Sequence, residues 1–219
     1  MKKFLVFLIS LLFSVGVFAQ KCIPQEPPLN EYGQKNGIEI ICESDQKIFE
    51  GKYVNGEPEG KFTKWYENGQ KKSEVNIVKG QLEGKEIRWY ENGQKAVEAN
   101  YVNGRIEGKA TKWYENSQKE SEVNYVEGNR EGKTIWWYEN GQKGEEINYI
   151  NGKLEGKQLY WHENEQKKSE MNYVNDKLEG QQIFWYENGQ KASEVNYING
   201  EQEGKEIWWD EEGNLINDE

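Results

Sequence analysis

The side chains of this chain that could take part in catalysis or metal binding are few and scattered. His162 is the only histidine, so no second imidazole is present to share a metal or to complete a catalytic triad. The two cysteines, Cys22 and Cys42, are too few for a zinc site. Gly132-Lys133-Thr134 resembles the end of a phosphate-binding loop, but Gly128 stands one residue too close for the complete motif. We therefore expect no catalytic residue, no metal, no cofactor and no enzymatic activity.

Glutamates are abundant, and paired carboxylates can serve acid–base catalysis or bind calcium. They recur, however, at the same place in successive turns: Glu67, Glu91, Glu115, Glu139, Glu163 and Glu187. An active site would interrupt this repetition at one place, and the spacing does not match a known calcium-binding loop. The recurrence favours a structural role for these carboxylates.

One recurring position, two residues before a tyrosine, changes its chemical character along the chain. It holds Lys64, Arg88 and Lys112 first, and only aromatic residues after them. The candidate binding ridge consists of these aromatic residues and the neighbouring rings on the same predicted face: Trp136, Tyr138, Tyr160, His162, Phe184, Tyr186 and Trp208. An exposed aromatic patch favours a protein or carbohydrate partner. The alternative is that the C-terminal half coils more tightly and buries both of its faces.

A repeat of 24 residues must position these side chains. Tryptophan recurs at this interval without an insertion or deletion, at Trp65, Trp89, Trp113, Trp137, Trp161, Trp185 and Trp209. A Glu-Gly pair keeps the same interval, from Glu59-Gly60 to Glu203-Gly204. A fixed period of this length indicates units that stack on each other, because none can bury its apolar face alone.

Each unit contains two turn signals and no helical periodicity. In the unit 84–107, Asn92-Gly93 separates two strand-like runs, and Asn103-Gly104 leads into the next unit. Asn-Gly between such runs is the strongest short-range signal for a β-hairpin, and two such steps per unit interrupt any long helix. We predict an all-β fold, an elongated single-layer antiparallel sheet of tandem hairpins with about 14 to 16 strands. A sheet of that size must twist and coil.

The length of the hairpin loop determines which side chains share a face, because a shift of one residue moves every side chain to the other side. A three-residue loop that ends at Gly69, in the left-handed conformation, puts Trp65 on the face of Val75. The tryptophan face would then also carry the aliphatic residues and tyrosines of the second strand. Ser117 and Glu165 replace this glycine in two units, where positive φ costs about 1 kcal/mol.

We predict a secretory signal peptide at residues 1–19. Lys2 and Lys3 precede an uncharged run that ends in Val17-Phe18-Ala19, which suits cleavage before Gln20. A retained membrane anchor needs about 20 apolar residues, and this run is shorter. We therefore expect an exported chain that is periplasmic, exposed on the cell surface or extracellular.

After the signal peptide, residues 20–42 are predicted to form an irregular N-terminal cap with a degenerate first half-repeat. Residues 43–219 form the tandem array of about seven units. In an exported chain, Cys22 and Cys42 are candidates for a disulfide that closes a loop of about 20 residues. Two free thiols are the alternative.

The chain is acidic, with a formal net charge of −11, which becomes −13 when Lys2 and Lys3 leave with the signal peptide. An acidic surface repels nucleic acids and anionic lipid headgroups. We expect no nucleic-acid partner, and the charge disfavours membrane association.

The unit Tyr-Glu-Asn-Gly-Gln-Lys-x-Ser-Glu-Val-Asn-Tyr, at residues 186–197, resembles the MORN-repeat variant of bacterial YwqK-type proteins, and the resemblance covers residues 43–209. It implies stacked hairpins in a single-layer sheet and supplies no catalytic residues. Some members are labelled antitoxins, and eukaryotic relatives are described as membrane-binding or protein-binding modules. We expect a protein-binding or structural module at the cell envelope. The alternatives are an antitoxin-like protein, which should not be exported, and a lipid-associating module.

Overall fold

The computed structural model describes residues 21–216, and strands are the only regular elements within them. The predicted signal peptide lies outside these residues. The strands pair antiparallel with their neighbours in the chain and form one open sheet. No helix that could cross a bilayer occurs in this part of the chain. The predicted all-β fold of tandem hairpins is confirmed.

The sheet contains 22 named strands. In chain order they are β1 (Gly37–Glu43), β2 (Gln46–Val54), β3 (Glu57–Pro58), β4 (Gly60–Trp65), β5 (Lys71–Val78), β6 (Gln81–Leu82), β7 (Gly84–Trp89), β8 (Lys95–Val102), β9 (Arg105–Ile106), β10 (Gly108–Trp113), β11 (Lys119–Val126), β12 (Asn129–Arg130), β13 (Gly132–Trp137), β14 (Lys143–Ile150), β15 (Lys153–Leu154), β16 (Gly156–Trp161), β17 (Lys167–Val174), β18 (Lys177–Leu178), β19 (Gly180–Trp185), β20 (Lys191–Ile198), β21 (Glu201–Trp209) and β22 (Leu215–Ile216). Most units therefore repeat the same three lengths: two, six and eight residues.

A single unit shows how the sheet is built. β7 and β8 form a hairpin, and the Asn103-Gly104 turn then joins β8 to β9. β9 and β10 are two parts of one strand, interrupted at Glu107, and the next residue, Gly108, has a φ of +71°. Glycine adopts this conformation at little cost, which explains the recurrence of Glu-Gly. Six strands are divided in this way, so the 22 named strands form 16 rungs, within the predicted range.

The hairpin loop has the predicted three residues. The backbone N–H of Tyr66 donates to the Gln70 carbonyl at 2.9 Å, and that of Gly69 donates to the Tyr66 carbonyl at 2.9 Å. Gly69 has a φ of +82°. Ser117 and Glu165 take the same conformation, with φ of +69° and +67°. The strain expected at these two loops is therefore present in the fold.

Replacing Glu165 with glycine is expected to raise the free energy of unfolding by about 1 kcal/mol, because glycine relieves the positive φ. Glu163, two residues earlier in the same loop, is the matched control. It lacks a positive φ, so glycine there should give no gain and a small loss through added freedom of the unfolded chain. Urea unfolding of both variants measures the difference, and an equal response would contradict the explanation.

A β-bulge beside the hairpin loop reverses part of the predicted side-chain arrangement. Trp65 pairs with Lys71, as expected from the three-residue loop, but Lys64 pairs with Ser73. Lys72 therefore has no pairing partner in β4 and is an extra residue in the second strand. The same shift recurs in the following five units. Because side chains alternate between faces, the bulge puts Val75 on one face of the sheet and Trp65 on the other. The prediction that the tryptophans share a face with the second-strand aliphatic residues and tyrosines is wrong.

We name the side with the repeated tryptophans the outer face, and the side with Val75 and its equivalents the inner face. The least exposed side chains on the inner face are Thr134, Gln158, Ser193, Ser121, Ala99, Ser169, Val195, Glu86 and Val123. Thr134 and Gln158 are 0% exposed. A flat single layer could not remove side chains from water to this extent. The sheet therefore curls with the inner face on its concave side, where side chains of neighbouring strands cover each other.

The outer face is stabilised by a repeated contact of lysine, tryptophan and glutamate. Lys95 Nζ lies 5.7 Å from the ring centroid of Trp113 in the next unit, a cation–π distance. Glu98 lies 2.6 Å from Lys95 and 2.9 Å from Lys85. Hydrogen bonds from these two lysines hold the pKa of Glu98 below its usual value. The lysine–tryptophan contact recurs along the array, so each of these indoles packs against the preceding unit.

The N-terminal end of the sheet is joined to the preceding segment by a disulfide between Cys22 and Cys42, whose Cα atoms are 6.0 Å apart. β1 and β2 form the degenerate first unit, and their hairpin turns at two residues, Ser44-Asp45, instead of three. Gln25 pairs with Ile40 of β1 in an isolated bridge. The segment thus covers part of an edge that would otherwise present unpaired backbone groups.

Candidate functional site

A row of side chains crosses the inner face at right angles to the strands. Each member lies opposite the next in the pairing register, so the members are neighbours across the sheet. In order, they are Phe49, Lys64, Ser73, Arg88, Val97, Lys112, Ser121, Trp136, Glu145, Tyr160, Ser169, Phe184, Ser193 and Trp208. We name this set the central row.

The central row changes from basic to aromatic near its middle. Phe49 of β2 comes first. From Lys64 onward, the basic and aromatic members come from the first strand of each unit, and residues of the second strands stand between them. Neighbouring strands are about 4.8 Å apart, so the basic and aromatic members follow one another at roughly 10 Å. Lys64, Arg88 and Lys112 therefore form a ladder of cations at regular intervals, and an aromatic ladder continues it from Trp136.

The structure places all seven residues of the predicted ridge on the inner face. Four belong to the central row, and Tyr138, His162 and Tyr186 lie beside it, toward the hairpin loops. All are half-buried except Trp208, which is 45% exposed. Burial, together with the Glu145 carboxylate, raises the pKa of Tyr160 to about 12. The aromatic half of the inner face is thus packed rather than fully open.

The three ridge residues beside the row connect successive units. The hydroxyls of Tyr138 and Tyr186 donate to the carbonyl oxygen of the tryptophan in the next unit, at 2.7 and 2.8 Å. His162 takes the tyrosine's place in its own unit, and its Nε2 lies 3.0 Å from the equivalent carbonyl oxygen. Their polar ends bind backbone, so only the sides of these rings are available to a partner.

The recurring asparagines and glutamates also bind backbone. Asn92 Nδ2 donates to the carbonyl oxygen of Glu115 in the next loop at 3.1 Å. Glu83 of a Glu-Gly pair accepts from the backbone N–H of Asn103 in the following turn at 2.8 Å. Both bonds recur along the array. Residues 21–216 contain no group of three or more His, Cys, Asp or Glu side chains that could hold a metal ion.

The inner face is filled in its C-terminal half and open nearer the N-terminus. A cavity of about 280 Å³ lies above Ala99 and Ala110, lined by residues of three successive units that include Arg88 and Trp136. A second cavity shares Arg88 with the first and extends to Lys64. We name these two adjoining cavities the inner groove.

The inner groove is basic although the chain is acidic. Its lining contains five cationic residues, Lys64, Lys72, Arg88, Lys112 and Arg130, and one carboxylate, Glu86. Glu86 is 5% exposed, and its Oε1 lies 2.6 Å from Arg88 Nε. The Arg88 side chain is still 59% exposed. Four surplus positive charges in a chain of net charge −11 make this the place where an anionic ligand meets least repulsion.

The cations of the groove differ in what they already bind. Arg130 Nη1 donates to the hydroxyl of Tyr149 at 2.8 Å, and its guanidinium lies 5.2 Å from the centroid of that ring. Lys64 and Lys112 are exposed, and within residues 21–216 neither has an ion-pair partner. Arg130 is thus held in place by the fold. Lys64, Lys112 and the Nη edge of the Arg88 guanidinium instead face the groove.

Sequence reasoning found the change from basic to aromatic residues but missed the groove. Its lining residues are dispersed over several units and share a face only because of the bulge at Lys72 and its equivalents. One signal was available, since Ala99 and Ala110 are the smallest residues at their repeat positions in the full units. Small side chains beside aligned cations leave room for a ligand.

A search against protein-family models matches this chain to the family described as the MORN repeat variant. The matched stretches are residues 58–79, 82–103, 106–127, 130–151, 154–175 and 178–199. Each is 22 residues long, and together they make 132 of the 219 residues. Each runs from the short strand before Glu-Gly to the first residue of the next two-residue turn. A search of curated proteins finds no match.

Proposed function

Because this chain belongs to the MORN repeat variant family, we propose that it is a non-catalytic binding module that presents its inner face to a protein partner at the cell envelope. The repeated tyrosines, asparagines and glutamates hold the sheet together through backbone contacts. The central row varies in charge from unit to unit, as do the neighbouring inner-face positions of Glu86 and Arg130. Variation on a constant scaffold suits recognition.

The inner groove is the observation that carries this proposal. It is concave, is lined from three successive units and ends at Trp136, the first residue of the aromatic ridge. Arginine, tryptophan and tyrosine, which are enriched in the cores of protein interfaces, all contribute to its lining. The groove and the sides of the ridge rings together provide a continuous contact surface.

The envelope location rests on two features. The predicted signal peptide would direct export, and a disulfide such as Cys22–Cys42 persists in oxidising compartments. The antitoxin-like alternative needs a cytosolic chain, which neither feature favours. The lipid-associating alternative is disfavoured by the acidic net charge and by shape, because a bilayer surface cannot follow a concave groove.

Obstructing the groove tests the proposal. Ala110→Trp fills the cavity from the inner face, and Lys109→Trp adds the same ring one residue away on the outer face. The purified mature protein and Lys109→Trp should capture the same envelope proteins, whereas Ala110→Trp should lose at least one of them while keeping the same circular dichroism. Identical capture by all three folded proteins would contradict the groove as the binding surface. Capture of a cytosolic toxin would favour the antitoxin alternative.

A further inference from the structure

We propose that the inner groove recognises an acidic peptide segment in the polyproline II conformation, with a carboxylate at every third residue. This inference rests on the proposed function and specifies the chemistry of the partner. It follows from three features of the groove: the interval between its cations, the residue that follows them in the central row, and the aliphatic side chains that line the groove between the cations.

The interval between the cations matches one repeat of a polyproline II helix. Lys64, Arg88 and Lys112 stand on every second strand, which places them roughly 10 Å apart. A polyproline II helix has three residues per turn and rises about 9.3 Å per turn, so every third side chain points the same way at this interval. A flat β-strand presents a side chain to one side about every 6.6 Å, which does not fit.

The chemistry of the three cations favours carboxylates. Arg88 uses Nε for Glu86, and its two Nη groups remain on the exposed side of a planar fork that suits a carboxylate. Lys64 and Lys112, one on each side of it, carry compact ammonium groups with three donors each. A segment with three aligned carboxylates would therefore meet one cation per turn of its helix.

The central row also predicts the next contact of the peptide. After Lys112 the row passes Ser121 and reaches Trp136, again two strands further on. Aromatic side chains are the usual partners of proline-rich segments in polyproline II conformation. A proline or another apolar residue three positions after the third carboxylate would lie against the Trp136 ring.

The rest of the lining favours a peptide over an acidic polysaccharide. Five aliphatic residues line the first cavity between the cations and offer no hydrogen bonds to sugar hydroxyls: Val97, Ala99, Ile106, Ala110 and Val123. Three lining residues of this cavity carry a hydroxyl: Tyr101, Ser121 and Tyr125. Glu86, the carboxylate of this lining, is already paired with Arg88. Aliphatic surface of this kind suits the prolines and alanines of a peptide.

Fluorescence anisotropy with labelled synthetic peptides tests the inference on the mature protein with its disulfide intact. The first peptide has glutamate at three successive third positions, proline and alanine between them, and a proline three residues after the last glutamate. The second has the same composition with its glutamates adjacent, and the third has glutamine in place of glutamate. The first should bind most tightly, more weakly as salt is added, and the third should not bind.

Two lysine variants locate the contact. Lys112→Gln, in the groove, should weaken binding of the first peptide about tenfold, as expected for loss of one hydrogen-bonded charge. Lys109→Gln makes the same change three residues earlier, on the outer face, and should leave binding unchanged. Both variants should retain the unfolding transition of the parent protein.

Three results would overturn the inference. The first is equal binding of the spaced and adjacent glutamate peptides, which would show that the net charge of the peptide, and not the spacing of its carboxylates, determines binding. The second is tighter binding of a uronic acid polymer with the same dependence on Lys112, which would identify a polysaccharide. The third is no binding of any peptide. In each case, capture of envelope proteins that is lost with Ala110→Trp would still support the groove as a binding surface.

Discussion

Replacing Gln158 with leucine is expected to lower the free energy of unfolding by about 2–3 kcal/mol, although Gln158 is 0% exposed and leucine is apolar. The amide oxygen of Gln158 accepts from the backbone N–H of Asn148 at 3.0 Å. Its amide nitrogen lies 3.3 Å from the carbonyl oxygens of Asn148 and Gly156. Gly156 follows the interruption between β15 and β16, and Asn148 lies beside this interruption on β14. Leucine would leave these backbone groups buried without the Gln158 amide as a partner.

Thr134 supplies the matched comparison. It occupies the same repeat position one unit earlier and is also 0% exposed, but its Oγ1 has no hydrogen-bond partner within the described residues. Valine has nearly the same shape and removes the unsatisfied hydroxyl. Thr134→Val should therefore leave the stability unchanged or raise it by about 1 kcal/mol. Two equally buried polar residues on one face should thus respond in opposite directions.

Urea unfolding of the two variants, followed by circular dichroism and tryptophan fluorescence, measures this contrast. Because each unit contacts only its neighbours, the loss at Gln158 should weaken the middle of the array and broaden or divide its transition. A similar loss in both variants would show that buried volume, and not the bonds of the Gln158 amide, determines stability here.

The hairpins could be predicted from the sequence because their signals are local. Asn-Gly steps specify turns through the conformations that glycine and asparagine tolerate, and Gly69 fixed the three-residue loop in the predicted way. The interruption at Glu-Gly has an equally local signal, the recurring glycine at Gly108 and its equivalents. The interruption could not be predicted from this glycine, because a glycine beside a strand can mark a turn, a bulge or a close approach of chains.

The bulge could not be predicted from local chemistry. The extra residue is Lys72 in one unit, and alanine, glutamate or glycine stand at its equivalents Ala96, Glu120 and Gly144, so no residue type marks it. What selects it is the burial of Val123, Ile147 and their equivalents on the concave side, which depends on the curvature of the whole sheet. Placing the tryptophans on the outer face is a further consequence, and each indole there has a lysine to cover it.

The candidate site likewise has one feature that the sequence predicts and one that it does not. The change from Lys112 to Trp136 is visible in the sequence because the 24-residue period aligns the two positions. The groove between them is not visible, since it depends on which side is concave and on the small volume of Ala99 and Ala110. The repeat thus gives a constant framework of backbone contacts, and the few positions that it leaves unconstrained can differ between units without loss of the fold.

Removing the disulfide, by replacing both Cys22 and Cys42 with serine, is expected to destabilise the N-terminal end by about 3 kcal/mol. The bond joins residues 20 apart in the sequence, and closing a loop of that length restricts the unfolded chain by about this amount. Without it, the part of the leading segment near Cys22 keeps the bridge from Gln25 to Ile40 and the bond from the Cys22 N–H to the Asp45 carbonyl. Further along, the Lys35 carbonyl accepts from the Gly56 N–H at 2.8 Å, so we expect the segment to loosen around Cys22 first.

The loss should remain local, because β1 and β2 contact the rest of the array only through the next unit. Amide hydrogen exchange should accelerate in β1 and β2 of the double variant and remain unchanged from β11 onward. Reducing the unmodified protein should reproduce the same pattern, which controls for effects of serine itself. Two free thiols, counted by mass spectrometry of unreduced protein from the envelope, would contradict the bond. Accelerated exchange along the whole array would instead contradict the local coupling on which the repeat architecture depends.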